Sequence, residues 1–408
     1  MWELFGIGGV TITMPIYTFI MAVSLLLGVG GSILFSICLG QKKERKAKRI
    51  LAISTSLLII SGITITIVGL VFLDPILKFL GASGELLGHA KDYIKIILMG
   101  SVFHMLSLGL NSFVRAGGHP KMAMAAMISG SVTDAILDPI FIFVFRWGMF
   151  GAAISTVIGQ AISTILILYH FLSKRCTYKI ELKKMKLNFK YVRLIMANGV
   201  SVFLLEMSWG VLGIVINKLL VSHGGDIAIS GMGIINSITM LTILPVIGLI
   251  QGATPIISYN HGAKNKKRIL ETVRLCVIIS TIVMTACLAI AILLSEQMVS
   301  VFNHEEAILE FTSRGLIIWL LALPIIGAQI VLSSYFQSVG KYKIAMFLTL
   351  IRQIILSIPI IIIFAKLWGL DGILYAGPIS DIAAFIATVI FFMYEYKKHY
   401  KNIKEETI

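Results

Sequence analysis

Asp134 and Asp138 stand four residues apart in the stretch TDAILDPIFIF, which is otherwise almost wholly apolar. On a helix that spacing puts both carboxylates on one face. Pro139 follows at once and has no N–H, which leaves the carbonyl of Ala135 without its usual partner. Charges in hydrocarbon cost several kcal/mol and persist where they have a task. Two carboxylates beside a freed carbonyl suit a cation. Thr156 lies across the short turn that follows. Counting about 1.5 Å per helical residue from that turn, Asp138 and Thr156 fall at one depth, roughly 10 Å below the surface. A hard cation wants several oxygens converging at one level. Asp134, Asp138 and Thr156 are therefore the expected cation-coupling residues, holding a proton or a transient Na⁺. The structural alternative is that the two acids cap a kink.

Other polar residues lie in apolar runs. Glu206 sits near mid-span with Trp209 one turn on. The acid would bind a cationic drug or a proton and the indole would add a cation–π face, or the acid is a hydrogen-bonded structural group. Arg352, with Gln353 beside it, and Asp381 fall at similar depth on consecutive antiparallel spans, about 14 Å from the inner side and about 16 Å from the outer. They form either an ion pair or a set of charges lining a path. Glu206, Trp209, Arg352, Gln353 and Asp381 are the substrate-binding candidates. His104 and Asn111 are expected to make packing hydrogen bonds.

The elements that must hold these residues are long apolar runs. Of 408 residues 57% are hydrophobic and only 13% charged, and the mean hydropathy is +0.94. Soluble domains carry roughly 25% charged residues. Eleven stretches can cross hydrocarbon as helices: about 7–39, 50–73, 92–114, 121–145, 150–172, 194–221, 228–257, 269–294, 312–336, 343–366 and 370–395. They are too long and too uniformly apolar for barrel strands. The net charge of +15 is gathered in short loops, which fits an anionic membrane surface and not nucleic acid. Cys38, Cys176, Cys276 and Cys287 form no CxxC pair, so neither a disulfide framework nor a zinc site is expected. Basic clusters at 42–49, 115–121, 174–193, 264–268, 341–343 and 397–404 alternate with short or acidic loops. The positive-inside rule places the basic loops and the C-terminus in the cytoplasm.

The chain also repeats itself. Gly30, Gly40 and Gly118 have counterparts in Gly252, Gly262 and Gly340, each 222 residues on. Trp147-Gly148 and Gly151 match Trp368-Gly369 and Gly372 at 221, and Pro139 matches Pro359 at 220. Repeats at long periods reveal duplicated architecture. Both copies put the basic corner on the same side, so the repeat is parallel and each half needs an even number of spans. The second half has six spans and the first has five, which implies a first helix lying before residue 1. The expected organisation is an N-terminal lobe over 1–173, a basic linker over 174–193, a C-terminal lobe over 194–396 and a basic tail over 397–408. The fold class is an all-α polytopic membrane protein of two lobes around a central cavity, expected to be a monomer without a cofactor.

Three segments narrow the family. GLIQGATPIISYNHGAKNKKR (248–268), ILDPIFIF with GAAIST (136–143 and 151–156), and YFQSVGK…LIRQ…PI (335–360) resemble, in order, the signature of the multidrug and toxic compound extrusion (MATE) transporters. The resemblance covers nearly the whole chain. It implies twelve spans and export of organic cations and other toxic compounds, driven by inward Na⁺ or H⁺. It also implies an N-lobe cation site in which a first-helix carboxylate joins an Asn-x-x-x-Asp pair and a Thr. Asp138 and Thr156 match that pattern, Asp134 stands where Asn is usual, and the first-helix carboxylate has no counterpart. A flippase for lipid-linked oligosaccharides shares the wider architecture, but a pyrophosphate cargo wants a cationic cavity and the intramembrane charges here lean acidic. An intramembrane enzyme would need an Asp-rich diphosphate motif or HExxH, and the sequence has neither. An ion channel fits the duplicated halves less well than a carrier.

Overall fold

Uniformly apolar runs must satisfy their backbone internally, and every described element is accordingly helical. The computed structural model describes residues 2–81, 84–173, 176–181 and 184–399. In chain order the helices are α1 (Trp2–Gly40), α2 (Glu44–Val71), α3 (Leu73–Phe79), α4 (Gly84–Met99), α5 (Ser101–Ala116), α6 (Pro120–Pro139), α7 (Gly148–Leu172), α8 (Phe189–Gly262), α9 (Lys266–Ser300), α10 (Glu306–Leu320), α11 (Leu323–Ser338), α12 (Tyr342–Leu350) and α13 (Ser357–His399). Among the described residues, seven helices are long and apolar enough to cross a membrane, or up to nine if each of two bent pairs is one span.

The bends differ from the straight spans expected at 92–114 and 312–336. α4 and α5 meet at 53° and α10 and α11 at 48°. Gly100 forms the first corner, where a Cβ would lie 2.4 Å from Val157 of α7. Close packing of α7 thus excludes a side chain at the bend. Two more interruptions involve proline. Ile140–Val144 is π-helical just after Pro139, and Ile351–Leu356 is π-helical just before Pro359. A proline removes one ladder hydrogen bond and crowds the preceding turn, which the wider turn before Pro359 accommodates; the wide turn at 140–144 lies on the far side of Pro139. Between the spans expected at 194–221 and 228–257 the break is a single left-handed residue, Gly225 (φ 58°), inside α8, and Gly369 (φ 58°) breaks α13 in the same way.

The sequence repeat is also a backbone repeat. Lys42 (φ 58°) and Lys264 (φ 59°), 222 apart, both take the left-handed conformation, as do Gly118 (φ 87°) and Gly340 (φ 73°) at the same offset. Lys43 N donates to Cys38 O at 2.9 Å, and Asn265 N donates to Asn260 O at 2.9 Å. His119 N to Val114 O (3.1 Å) and Lys341 N to Phe336 O (2.9 Å) form the second such pair. Each is the six-to-one bond of a Schellman cap, which ends a helix by turning one residue left-handed.

Contacts divide the chain into two compact units, Met1–Met207 and Ser208–Ile408. The repeat would begin the second half at residue 194. Packing, however, ties the start of α8 to the first unit. A Cβ at Gly30 would lie 2.2 Å from Ile195 O, and one at Gly199 would lie 1.8 Å from Leu26 O. The two helices therefore touch backbone to backbone. Phe203 also packs edge-on against Phe19, 6.4 Å between centroids. The described part of the basic linker lies on the same unit. Ser56 Oγ donates to Met185 O at 2.8 Å, Tyr178 packs on Phe35 at 5.5 Å, and the Arg49 guanidinium sits 5.2 Å from the centre of the Tyr191 ring.

Candidate functional site

The first unit holds a cavity of about 220 Å³ with polar side chains in a largely apolar wall. Its walls come from α1 (Tyr17), α5 (His104, Ser107), α6 (Asp134) and α7 (Thr156, Gln160). α6 and α7 meet where both lack side chains. A Cβ on Gly159 would lie 2.6 Å from Gly130 O and 3.2 Å from Asp134 Cβ, and one on Gly130 would lie 2.7 Å from Gly159 O. That crossing brings Asp134 against Thr156. α5 is fastened to its neighbours by Ser24 Oγ donating to Met105 O (3.1 Å) and Thr164 Oγ1 donating to Phe103 O (2.8 Å).

Within the cavity, Asp134 Oδ1 is buried with no hydrogen-bond partner, although the hydroxyls of Thr156 and Ser155 lie beside the carboxylate. Thr156 Oγ1 donates to Ala152 O at 3.0 Å on its own helix, so toward Asp134 it offers an oxygen lone pair. The Thr156 hydroxyl and the Asp134 carboxylate thus bring two oxygens together, an arrangement that suits a cation. Asp138 is placed differently. It does not line the cavity and accepts a hydrogen bond from Ser155 one turn away. Of the three expected coupling residues, Asp134 and Thr156 share the cavity, and Asp138 belongs to an adjoining Ser155 pair.

Sequence reasoning missed Tyr17, Ser107, Ser155 and Gln160, which are ordinary residues on separate helices and show no spacing signal. The Tyr17 hydroxyl lies within hydrogen-bond range of Gln160. The expectation for Asn111 is met, since its Nδ2 donates to Ala123 O at 2.8 Å. The expectation for His104 is not. This side chain is 8% exposed, neither ring nitrogen has a partner, and its ring stands edge-on to Tyr17 at 5.0 Å. The physical reason is that it faces the cavity, not a neighbouring carbonyl.

In the second unit Arg352 Nε donates to Asp381 Oδ1 at 2.9 Å, so of the two readings the geometry gives the ion pair. Gln353 is 3% exposed and its Nε2 has no partner. Ser357, at the position matching Leu137, donates to the Arg352 carbonyl, and the position matching Asp138 holds Ile358. Glu206 is half-buried on α8 and makes no hydrogen bond or ion pair among the described residues, and Trp209 is exposed on the same helix.

With this geometry in hand, the chain compares closely with known transporters. The MatE family model matches residues 4–140 and 201–363. Multidrug export protein MepA of Staphylococcus haemolyticus (strain JCSC1435) is 29% identical over 385 residues, covering 94% of this chain and 84% of the relative. MepA of Staphylococcus aureus (strain NCTC 8325 / PS 47) is 28% identical over 384 residues, with the same shares of each chain covered. Among solved structures, the MATE multidrug transporter DinF-BH in complex with R6G superposes with a TM-score of 0.89 at 32% identity, covering 96% of this chain and 88% of that one. A MATE crystal structure in the straight conformation superposes with a TM-score of 0.92 at 24% identity, covering 97% and 89%, which speaks for the fold alone. The all-helical polytopic fold and a family match across most of the chain agree: this chain belongs to the MATE family of membrane multidrug transporters and is not an enzyme.

Proposed function

We propose that the chain is a cation-coupled antiporter that exports organic cations by alternating access, with H⁺ or Na⁺ bound at Asp134 and Thr156 and with Asp138 supporting the site through Ser155. The observation that carries this reading is the unpartnered Asp134 oxygen inside the cavity of the first unit. A half-buried carboxylate within a membrane-spanning helix is costly, and an entering cation lowers that cost. Antiport follows when cargo and coupling ion bind the same cavity at each other's expense. Glu206, Trp209, Gln353 and the Arg352–Asp381 pair remain candidates for cargo contact elsewhere. The pairing of Arg352 with Asp381 favours a structural role for those two.

Eleven crossings are part of the proposal. The two longest helical stretches each divide at a left-handed glycine, Gly225 and Gly369, and each bent pair counts once. The N-terminal lobe, linker, C-terminal lobe and basic tail keep the bounds given by the repeat, with basic corners and the C-terminus on the cytoplasmic side. The tail at 400–408 lies outside the described residues.

The deciding experiment is ethidium efflux from vesicles holding the full chain under an imposed Na⁺ or proton gradient. Efflux driven by one gradient and abolished by Asp134→Asn, with the variant still monodisperse, is the expected result. Gradient-independent efflux, or full activity in Asp134→Asn, would overturn the assignment.

A further inference from the structure

His104 is over nine-tenths buried, bare at both nitrogens and aimed into the Asp134 cavity. Its surroundings decide what it can bind. Ser107 Oγ donates its proton to His104 O at 2.9 Å, and Thr156 Oγ1 donates its own to Ala152 O at 3.0 Å. With those bonds made, each hydroxyl oxygen keeps acceptor lone pairs that can face the cavity, and the Thr156 hydroxyl also lies in hydrogen-bond range of Asp134. Asp134 Oδ1 is an acceptor without a partner, and a neutral imidazole adds one acceptor nitrogen and one N–H. The Gln160 amide is engaged with Tyr17. The wall is thus rich in acceptors and carries one carboxylate. A space of about 220 Å³ far exceeds a bare metal ion and would hold on the order of seven waters, each taking about 30 Å³.

We propose that this cavity selects organic cations bearing N–H groups, such as amidinium and guanidinium ions, over quaternary ammonium ions of similar size, and that His104 sets the preference. An amidinium gives N–H donors to Asp134 Oδ1, to His104 and to the hydroxyl oxygens, while its planar body lies against the Tyr17 and His104 rings. A quaternary ammonium satisfies the charge but none of the acceptors. A site built to hydrogen-bond its ligand rejects the analogue that lacks the donors, by roughly tenfold or more. The proposal rests on the reading of this cavity as a cation site, and it deepens that reading by naming the cargo chemistry.

Two probes isolate the difference. Benzamidine and phenyltrimethylammonium each join one positive charge to one phenyl ring, and only the first carries N–H donors. Their binding to the purified full chain in detergent is measured by titration calorimetry. The wild type should bind benzamidine at least tenfold more tightly, and Asp134→Asn should weaken both. His104→Phe, which keeps an aromatic ring, should bring the two affinities within about threefold. His104→Gln, which restores an acceptor, should recover the preference. Equal affinities in the wild type, no binding of either probe, or an undiminished preference in His104→Phe would overturn the proposal. If His104→Phe does not give a monodisperse protein, His104→Leu takes its place, and the wild-type comparison stands alone as a test. Ethidium efflux from vesicles reconstituted with the same protein separates the two readings. Coupled efflux without an N–H preference sinks the selectivity alone, and a preference without coupled efflux sinks the exporter mechanism and leaves the binding site.

Discussion

Arg352 and Asp381, 29 positions apart on the π-helical turn and α13, are joined by a 2.9 Å contact between Nε and Oδ1, with side chains 14% and 21% exposed. Removing one partner leaves the other charged in a low-dielectric setting. Asp381→Asn and Arg352→Met should each cost about 3 kcal/mol, read as a lowered unfolding midpoint in detergent. The double variant Arg352→Met/Asp381→Leu should recover most of that loss. Undiminished stability in both single variants would mean that the pair is solvated.

At the first-unit site, Thr156→Ala removes an oxygen and leaves the carboxylate. It should reduce gradient-driven efflux by roughly tenfold, the worth of about 1.4 kcal/mol, with less effect on folding than any charge change. Ser155→Ala should act through Asp138, which loses the hydrogen bond it accepts. If Thr156→Ala efflux equals wild type, the convergence of Thr156 and Asp134 has no part in coupling.

The crossing of α6 and α7 makes a sharper prediction. Gly159→Ala puts a methyl group 2.6 Å from the Gly130 carbonyl, so the helices must separate. The overpacking cost is about 1–3 kcal/mol. Efflux should fall although no polar residue has changed, and Gly130→Ala should behave alike. Normal efflux in Gly159→Ala would show that the site does not depend on this approach.

Lys42 and Lys264 hold left-handed backbone at two helix ends. That conformation costs a non-glycine residue roughly 1 kcal/mol. Lys42→Gly and Lys264→Gly should each raise the unfolding midpoint slightly, whereas Lys42→Val should lower it. A midpoint lowered by Lys42→Gly would point to a needed side-chain charge at that corner.

Outside the membrane helices, Asp74 binds Lys91 at 2.7 Å, and that hydrogen bond holds the Asp74 carboxyl below its usual range. A carboxyl lowered in the folded state contributes stability that is present above the unfolded value near 3.9 and lost as pH falls through the folded one. The stability difference between wild type and Asp74→Asn should be small at pH 6 and vanish in stronger acid. A difference that grows on acidification would contradict the sign.

Hydropathy and the repeat made the helices and their corners legible. Apolar length and helix-ending signals are local, so Gly40-Gln41-Lys42 and Gly262-Ala263-Lys264 could be paired by eye. Asp134 and Thr156 were legible because a carboxylate in an apolar run stands out. The partners around them were not. His104 looks like any polar residue on a span until α1 and α7 are packed beside it. The bend at Gly100 and the crossing at Gly159 depend on which helix approaches, and spacing along one chain does not carry that. The attachment of residues 194–207 to the first unit rests likewise on Gly30 and Gly199 meeting across space.

The paired Schellman corners carry a consequence for how the two halves have diverged. The residues that end the helices lie at the rims, and the polar residues that could do work lie mid-span. A duplicated chain can therefore preserve its shape by guarding a handful of rim positions while its interior drifts. One copy has Asp138 beside its proline, and the other has Ile358 beside Pro359, with an arginine–aspartate pair close by. Inheritance of form and inheritance of chemistry have been separated within a single polypeptide.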